Sequence, residues 1–145
     1  VVLYGSPLHP LLSLLPQQRF HVAFKDAWML RLTHVERALV ARGYPLGLDL
    51  DVTIDLHDET VPAQSGAWRL RVRDGVGDAS RAASSAVGAA PPRLHCDIRG
   101  LAAMYSGLYT PRQAALLGLC RGDDAAMDQV QAAFAQGTPW MTDFF

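Results

Sequence analysis

Hydrophobic and polar residues alternate along two stretches in the middle of the chain, and this alternation predicts two β-strands. In the first stretch, apolar residues occupy every second position over 48–56, with three aspartates among the residues between them. In the second, Trp68, Leu70 and Val72 alternate with arginines. Successive side chains of a strand point to opposite faces, so each strand has one apolar face for the core. An antiparallel hairpin that turns near Ala63 is predicted to join the two strands.

The polar faces of these two strands predict their register. With a turn near Ala63, Arg71 lies opposite Asp55 and Arg69 lies opposite His57. Each such exposed pair contributes only about 0.2–1 kcal/mol. Together the pairs favour this register over a slip that would bring like charges together. The charged stripes therefore indicate strand pairing rather than catalysis.

The N-terminal part of the chain predicts a short helix and a hairpin. Ser6 and Pro7 are typical of a helix start, and the leucines over 8–15 have the i, i+3, i+4, i+7 spacing of one buried face. Apolar residues then alternate over 20–24 and 28–32, with a turn between them. A helix followed by two paired strands is the expectation for this region.

Three further helices begin at residues that commonly cap helix N-termini. Thr33 opens a Thr-x-x-Glu capping box before a helix predicted over 34–42. Thr110 opens a second capping box, with proline at the first helical position, and this helix is predicted over 111–122. Asp123 is predicted to cap the last helix.

The remaining elements complete an α+β fold. Residues 76–82 predict one weak strand, and the glycines, serines and prolines that follow it predict a flexible loop. Alternation over 94–98 predicts the final strand, and Gly100 is expected to begin a helix. Strands dominate the middle and helices the ends, which predicts a largely antiparallel sheet of about five strands in a single domain over 1–145.

Composition excludes some classes of partner. The chain has 145 residues, half of them hydrophobic, and a net charge of −1, so it lacks the positive excess of proteins that bind nucleic acid or anionic membranes. No apolar run is long enough to span a bilayer, and the start does not resemble a signal peptide. Cys96 and Cys120 show no metal-site spacing and are expected to be buried free thiols. These features predict a cytoplasmic protein, and a start without Met is consistent with part of a longer polypeptide.

The sequence contains no familiar catalytic or metal motif. The five histidines show no HExxH pattern, no serine lies in a GxSxG turn, and the acidic residues lie along a strand rather than in a calcium-binding loop. No Arg or Gln is followed by Gly three residues later, as the coenzyme A loop of a GNAT acetyltransferase would require. No metal site, nucleophile or cofactor site is therefore predicted. The acidic residues on and just after this strand are Asp49, Asp51, Asp55, Asp58 and Glu59.

The C-terminal end is unusually aromatic. Trp140, Phe144 and Phe145 fall within the last six residues, whereas free chain ends are usually polar and mobile. This end is expected to be docked, either as a structural plug or in a site. In a cleft, the α-carboxylate of Phe145 would be a fixed anion whose pKa desolvation could raise enough for it to act as a base.

The order of several short motifs resembles the C-terminal, sterol-carrier-protein-like domain of the Eis (enhanced intracellular survival) family of GNAT N-acetyltransferases. The resemblance spans the whole chain. The motifs that carry it are Met29-Leu30-Arg31-Leu32-Thr33-His34-Val35, Ala38-Leu39-x-Ala41-Arg42-x-Tyr44, Gly66-x-Trp68-Arg69-Leu70, Asp97-Ile98-Arg99-Gly100-Leu101-Ala102-Ala103-Met104-Tyr105-Ser106-Gly107 and Pro139-Trp140…Asp143-Phe144-Phe145.

The resemblance implies a fold and a role. It implies a sterol-carrier-like (SCP2-like) fold packed against upstream GNAT domains, which bind acetyl-CoA outside this chain and form a homo-oligomer when the protein is full length. It assigns the base to the C-terminal carboxylate of Phe145 and substrate contacts to Trp140 and Phe144, with an aminoglycoside or lysine-like amine as acceptor. Alone, the domain is expected to be inactive.

Two other functions remain open at this point. In the first, the apolar faces of the sheet and of residues 101–119 enclose a tunnel for a lipid or sterol. In the second, the chain is an oligomerisation module with an exposed apolar patch. The resemblance to carriers is one of fold, which does not by itself assign a function.

Overall fold

One mixed β-sheet forms the centre of the protein, for which a computed structural model describes residues 5–6, 9–16, 21, 23, 28–82, 89–135, 137 and 139. The described residues form five strands, in the order β3-β2-β1-β4-β5. Strands β1 and β4 are parallel, and the other neighbouring pairs are antiparallel. The predicted α+β class is confirmed. The strands are β1 (Leu50–His57), β2 (Gly66–Arg73), β3 (Val76–Arg81), β4 (Arg93–Asp97) and β5 (Cys120–Gly122).

Helices cover one face of the sheet. The cap at Asp123 and the capping box at Thr110 are confirmed, since both side chains accept a backbone N–H of the first turn. The helix predicted from Gly100 begins earlier because the Asp97 carboxylate caps it, accepting the Gly100 N–H at 2.7 Å. Among described residues the α-helices are α1 (Val35–Ala41), α2 (Ile98–Tyr105), α3 (Pro111–Leu116) and α4 (Asp124–Ala133).

The core lies between this face of the sheet and the helices. The even-numbered residues of β1 and β2, Trp68 among them, point into it, as the alternation predicted. Each fully buried aliphatic side chain contributes about 1.5–3 kcal/mol. Cys96 and Cys120 are buried free thiols, as expected. Fully buried aliphatic residues of the sheet are Val52, Ile54, Leu70, Val72 and Leu94.

The opposite face of the sheet is charged, but its predicted register is wrong. Arg71 lies opposite Asp51 rather than opposite Asp55, which faces Ala67. Arg69 faces Thr53 and not the predicted His57. The register is displaced by four residues, and because four is even, every side chain keeps its predicted face. Arg69 still finds an acidic partner, donating two hydrogen bonds to Asp51 at 2.7 and 2.5 Å.

The β1–β2 connection explains the displaced register. Asp58, 1% exposed, follows β1, and its side chain accepts the backbone N–H groups of Thr60 and Val61 at 3.0 Å. A 3₁₀ turn over Pro62–Gln64 then leads into β2. Arg31 donates from one guanidinium nitrogen to both Asp58 oxygens at 2.8 Å. The last pair before the loop is Leu56 and Gly66, so the connection is centred on Val61 rather than on Ala63.

The predicted N-terminal helix is not an α-helix. A 3₁₀ helix over Pro10–Leu14 replaces it, and Leu11, Leu14 and Leu15 are exposed. Five residues are too few for a stable isolated helix, and Pro16 prevents extension. Of the leucine face predicted to be buried, Leu12 is half-buried, Leu11 and Leu15 are exposed, and Leu8 lies outside the described residues.

The predicted N-terminal hairpin is not formed by the described residues. Trp28–Leu32 has no strand, and His21 and Ala23 have no regular structure. The apolar residues Phe20, Val22 and Phe24 lie outside the described residues. An isolated two-stranded hairpin is marginal in water, so alternation alone is insufficient to form one.

Helix α1 matches its predicted range within one residue, but its cap differs. His34 occupies the N-cap position without a side-chain cap bond. The side chain of Gln64 bridges the helix start instead, accepting the Val35 N–H at 3.0 Å and donating to the Thr33 carbonyl at 2.6 Å. The capping box predicted for Thr33 and Glu36 is therefore wrong, because a residue from the β1–β2 loop takes its place.

Helix α3 is shorter than predicted. It ends at Leu116, and Gly118, at φ +71°, turns the chain into β5. Cys120, predicted to be helical, instead lies in β5, opposite Cys96 in the neighbouring strand β4. The strand predicted over 76–82 is confirmed, whereas the loop after it falls mostly outside the described residues. No helix within the described ranges is long and apolar enough to cross a membrane.

Candidate functional site

The three residues predicted to form a site, Trp140, Phe144 and Phe145, lie outside the described residues. Helix α4 and the residues after it lead towards them, and Gly137 and Pro139 have no regular structure. Among the described residues, the end of α4 is the region nearest in sequence to the candidate site.

An arginine and two aromatic rings form a cluster at the end of α4. The Arg42 guanidinium carbon lies 4.8 Å from the ring centre of Tyr105 and 5.1 Å from that of Phe134. The two rings meet edge to face, with centres 5.9 Å apart. Cations over aromatic faces gain about 0.5–2 kcal/mol, depending on desolvation. We call Arg42, Tyr105 and Phe134 the aromatic cluster.

Hydrogen bonds connect the aromatic cluster to two other helices. Arg42 donates to the Tyr105 carbonyl at 2.7 Å, at the C-terminal end of α2. The Tyr105 hydroxyl donates to the Ala38 carbonyl of α1 at 3.1 Å. The cluster thus connects α1 and α2 to Phe134, the C-cap residue of α4. The cluster therefore has a structural role, because it joins the ends of three helices.

Arg42 has one nitrogen without a described partner. Its Nε atom is buried and makes no hydrogen bond to another described residue. Nearby, Tyr44 is buried and donates its hydroxyl proton to the Leu39 carbonyl at 2.6 Å. Burial raises the pKa of Tyr44 well above its ordinary value, so its hydroxyl stays protonated. Tyr44 is therefore a structural hydrogen-bond donor.

A small cleft lies beside the aromatic cluster. Its volume is about 230 Å³, below the roughly 300–1,000 Å³ of typical small-molecule pockets. It opens between the end of α2, the start of α3 and the end of α4, and not between the helices and the sheet. Residues lining it include Met104, Tyr109, Thr110, Pro111, Gln131 and Phe134.

The charged face of the sheet holds ion pairs of ordinary strength. Nδ1 of His95 lies 3.3 Å from an Asp55 oxygen, and Nε2 of His57 lies 3.8 Å from Glu59. These histidines lie on the solvent face, as predicted. Within the described ranges, no three His, Cys, Asp or Glu residues are grouped closely enough to hold a metal ion. The face shows paired charges and no assembled catalytic group.

Comparison with known families decides the domain type. The family model described as a sterol carrier protein domain matches residues 35–142. The chain belongs to the sterol carrier protein domain family. The match begins at Val35, the first residue of α1. Residues 1–34, which we call the N-terminal segment, precede it. No curated protein matches the sequence.

Solved structures similar to this sterol carrier protein domain are much longer. A GCN5-related N-acetyltransferase from Anabaena variabilis is 35% identical, with a TM-score of 0.86, over 97% of this chain and 34% of the other. One from Kribbella flavida is 34% identical, with a TM-score of 0.82, over 98% and 35%. Eis1 from Mycobacterium abscessus is 26% identical, with a TM-score of 0.57, over 76% and 26%. The chain spans about a third of the first two proteins.

The residues that hold the aromatic cluster were present in the sequence motifs but received no role there. Arg42 lies in the Ala41-Arg42-x-Tyr44 motif, and Tyr105 lies in the long Asp97–Gly107 motif. Their partnership joins residues 63 positions apart. An arginine that follows a run of apolar residues is a sign of a buried ionic or aromatic contact, but the sequence does not indicate which residue it contacts.

Proposed function

We propose that this sterol carrier protein domain is the C-terminal part of an Eis-type, acetyl-CoA-dependent N-acetyltransferase. Its acceptor is an amine of the aminoglycoside or lysine-like class. The domain supplies part of the wall of the acceptor pocket, with Trp140 and Phe144 as contact residues, and the C-terminal carboxylate of Phe145 acts as base. The full-length protein is cytoplasmic and homo-oligomeric in this proposal, and its upstream GNAT domains bind acetyl-CoA.

One observation carries the proposal. Two proteins named as GCN5-related N-acetyltransferases match nearly the whole of this chain at 34–35% identity. The match to Eis1 has a lower sequence identity, and it also covers only a part of a longer protein.

The proposed chemistry needs a base. An alkyl amine such as the lysine side chain has a pKa of about 10.4 and is mostly protonated at neutral pH. Its nitrogen must lose a proton before it attacks the thioester carbonyl of acetyl-CoA. The new C–N bond forms as the C–S bond breaks, and the thiolate of coenzyme A takes up a proton. The nitrogen loses two protons in all: the Phe145 carboxylate accepts the one lost before the attack and passes it to water, and the one lost after the attack goes to the thiolate.

Moving the terminal carboxylate tests this role. Two residues, Gly-Ser, are added after Phe145 in the full-length protein, and acetyl transfer is followed as release of free coenzyme A thiol with an aminoglycoside or a lysine peptide. We expect kcat to fall by about 10²–10⁴, the usual contribution of a general base. Acetyl-CoA binding, measured by calorimetry, should not change.

A matched variant separates position from side chain. Phe145→Leu keeps both the chain length and the terminal carboxylate, so it should retain far more activity than the extended protein. Unchanged turnover after the extension would remove the carboxylate from the mechanism. Wild-type protein that binds acetyl-CoA but acetylates neither kind of amine would refute the acceptor class.

A further inference from the structure

Uncovered apolar side chains are concentrated before the family domain begins. Of twelve exposed large hydrophobic residues in the described part of the chain, six lie between positions 11 and 30. Surface apolar residues are ordinary when scattered, but their accumulation in one segment is typical of a surface that another structure covers. The six residues are Leu11, Leu14, Leu15, Trp28, Met29 and Leu30.

Burial within Trp28–Leu32 increases towards its C-terminal end, and Met29 is the exception. Met29 is 97% exposed, whereas its neighbours Trp28 and Leu30 are 41% and 40% exposed, and Leu32 is 5% exposed. Trp28, Leu30 and Leu32 therefore lean on the domain, and Met29 faces away. Arg31 breaks the alternation predicted for 28–32, because its side chain is only 37% exposed and bonds to Asp58.

The C-terminal end of this segment is anchored. Arg31 donates to both oxygens of the buried Asp58 at 2.8 Å, and Leu32 lies in the core. The Asp58 pKa is lowered, because the hydrogen bonds from Arg31, Val61 and Thr60 outweigh the opposing effect of burial. The segment is thus held beside the β1–β2 loop by a charged pair.

The backbone of the segment has no partner in the part of the chain that the structure describes. No peptide N–H or C=O of Trp28–Leu32 makes a hydrogen bond to another described residue. A strand with unpaired backbone groups is a template for strand addition, in which main-chain hydrogen bonds supply affinity. Met29 adds an exposed apolar side chain on the side that faces away from the domain.

We propose that Trp28–Leu32 pairs as a β-strand with a sheet formed by the rest of the same polypeptide, and that Met29 is buried in this junction. The inference rests on the proposed function only in taking the chain to be part of a longer acetyltransferase. The family model begins at Val35, whereas the acetyltransferase structures match 97–98% of this chain. A match of that extent includes most of the residues before Val35, so the segment belongs to the longer proteins and lies outside the family domain.

Hydrogen exchange on the full-length protein tests the pairing. Peptides that cover Trp28–Leu32 should exchange their amide hydrogens at least 100-fold more slowly than an unstructured peptide. Exchange at the unstructured rate would overturn the proposal. Protection that disappears when the protein is diluted to a monomer would also overturn it, because the partner would then be a second copy of the chain.

A pair of substitutions tests the burial of Met29. Met29→Glu in the full-length protein should lower the melting temperature and speed proteolytic cleavage in the N-terminal segment. Leu116→Glu is the matched control, since Leu116 is 88% exposed at the end of α3 and should tolerate the charge. Equal effects of the two variants would overturn the proposal.

These measurements do not depend on turnover. A protein that acetylates amines but exchanges rapidly at Trp28–Leu32 overturns the strand pairing and leaves the proposed function intact. A protein with a protected segment that acetylates no amine has the opposite outcome, supporting the pairing and refuting the proposed function.

Discussion

Gly100 allows α2 to lie against the chain that enters β5, and replacing it with alanine should destabilise the protein. A Cβ atom at this position would stand closer than 3.0 Å to the carbonyl oxygen of Leu119 and 3.1 Å from its carbonyl carbon. The obstruction is backbone, which cannot rotate away as a flexible side chain can. Leu119 is also held in place, because its N–H donates to the Ala114 carbonyl at 2.9 Å.

Two effects of Gly100→Ala oppose each other. Alanine in a helix is favoured over glycine by about 1 kcal/mol. Overpacking a close contact typically costs about 1–3 kcal/mol. The upper part of that range applies here, since relief requires α2 and the Leu119 backbone to separate. We therefore expect a net loss of about 1–2 kcal/mol in the free energy of unfolding.

Urea unfolding followed by tryptophan fluorescence measures this loss. With an m-value of about 2 kcal/mol/M, the midpoint should fall by roughly 0.5–1 M. Gly43→Ala is the control, because a Cβ atom at Gly43 meets no heavy atom within 4 Å. Its midpoint should stay the same or rise slightly. A Gly100→Ala protein as stable as the wild type would refute the close contact between α2 and Leu119.

Two further predictions follow from titratable groups. The hydrogen bond from Arg69 lowers the pKa of Asp51, so this carboxylate stabilises the fold above the ordinary carboxyl pKa, and its contribution is lost as pH falls through the lowered value. Unfolding free energy measured from pH 6 to pH 2.5 should drop in the acid range, and a drop just as large in Asp51→Asn would contradict this role. Burial raises the pKa of both Cys96 and Cys120, so neither should react with a thiol reagent at pH 8 until urea unfolds the protein. Rapid labelling of two thiols in the native state would contradict their burial.

Local sequence signals predicted much of the fold. The inward residues of β1 and β2 follow from alternation, because one face of each strand must be buried. The caps at Thr110 and Asp123 were also predictable, since a capping side chain acts within three residues of its own position. These features depend on neighbours in sequence, and the structure retains them.

Features that depend on distant residues were not predictable in the same way. The β1–β2 register depends on the loop that Asp58 and Arg31 organise, and these residues are 27 positions apart. Strand β5 has three residues and no alternation of its own, so only its pairing with β4 defines it. Gln64 replaces the predicted Thr33 cap because the fold brings the β1–β2 loop to the start of α1.

The same limit applies to the candidate site. The sequence singled out Phe145 from the aromatic composition of the chain end, and its role stays a prediction because it lies outside the described residues. The aromatic cluster, in which Arg42 joins Tyr105 and Phe134, requires three helices to converge. The spacing of residues along the chain does not indicate which helices converge.

Packing of the core bears on whether a domain of this family carries a lipid. The carrier hypothesis needs space between the apolar face of the sheet and α2, yet Ile54, Leu70, Leu94 and Leu101 are all 0% exposed and belong to one continuous core. A lipid there would have to displace several such side chains, at about 1.5–3 kcal/mol for each one exposed to water. Of the twelve exposed large hydrophobic residues in the described part of the chain, six lie in the N-terminal segment and six on the surface of the domain, Leu108, Leu116 and Leu117 among them. Within the described residues, the interface between the sheet and the helices is therefore filled by core side chains, which disfavours a lipid-carrying cavity there.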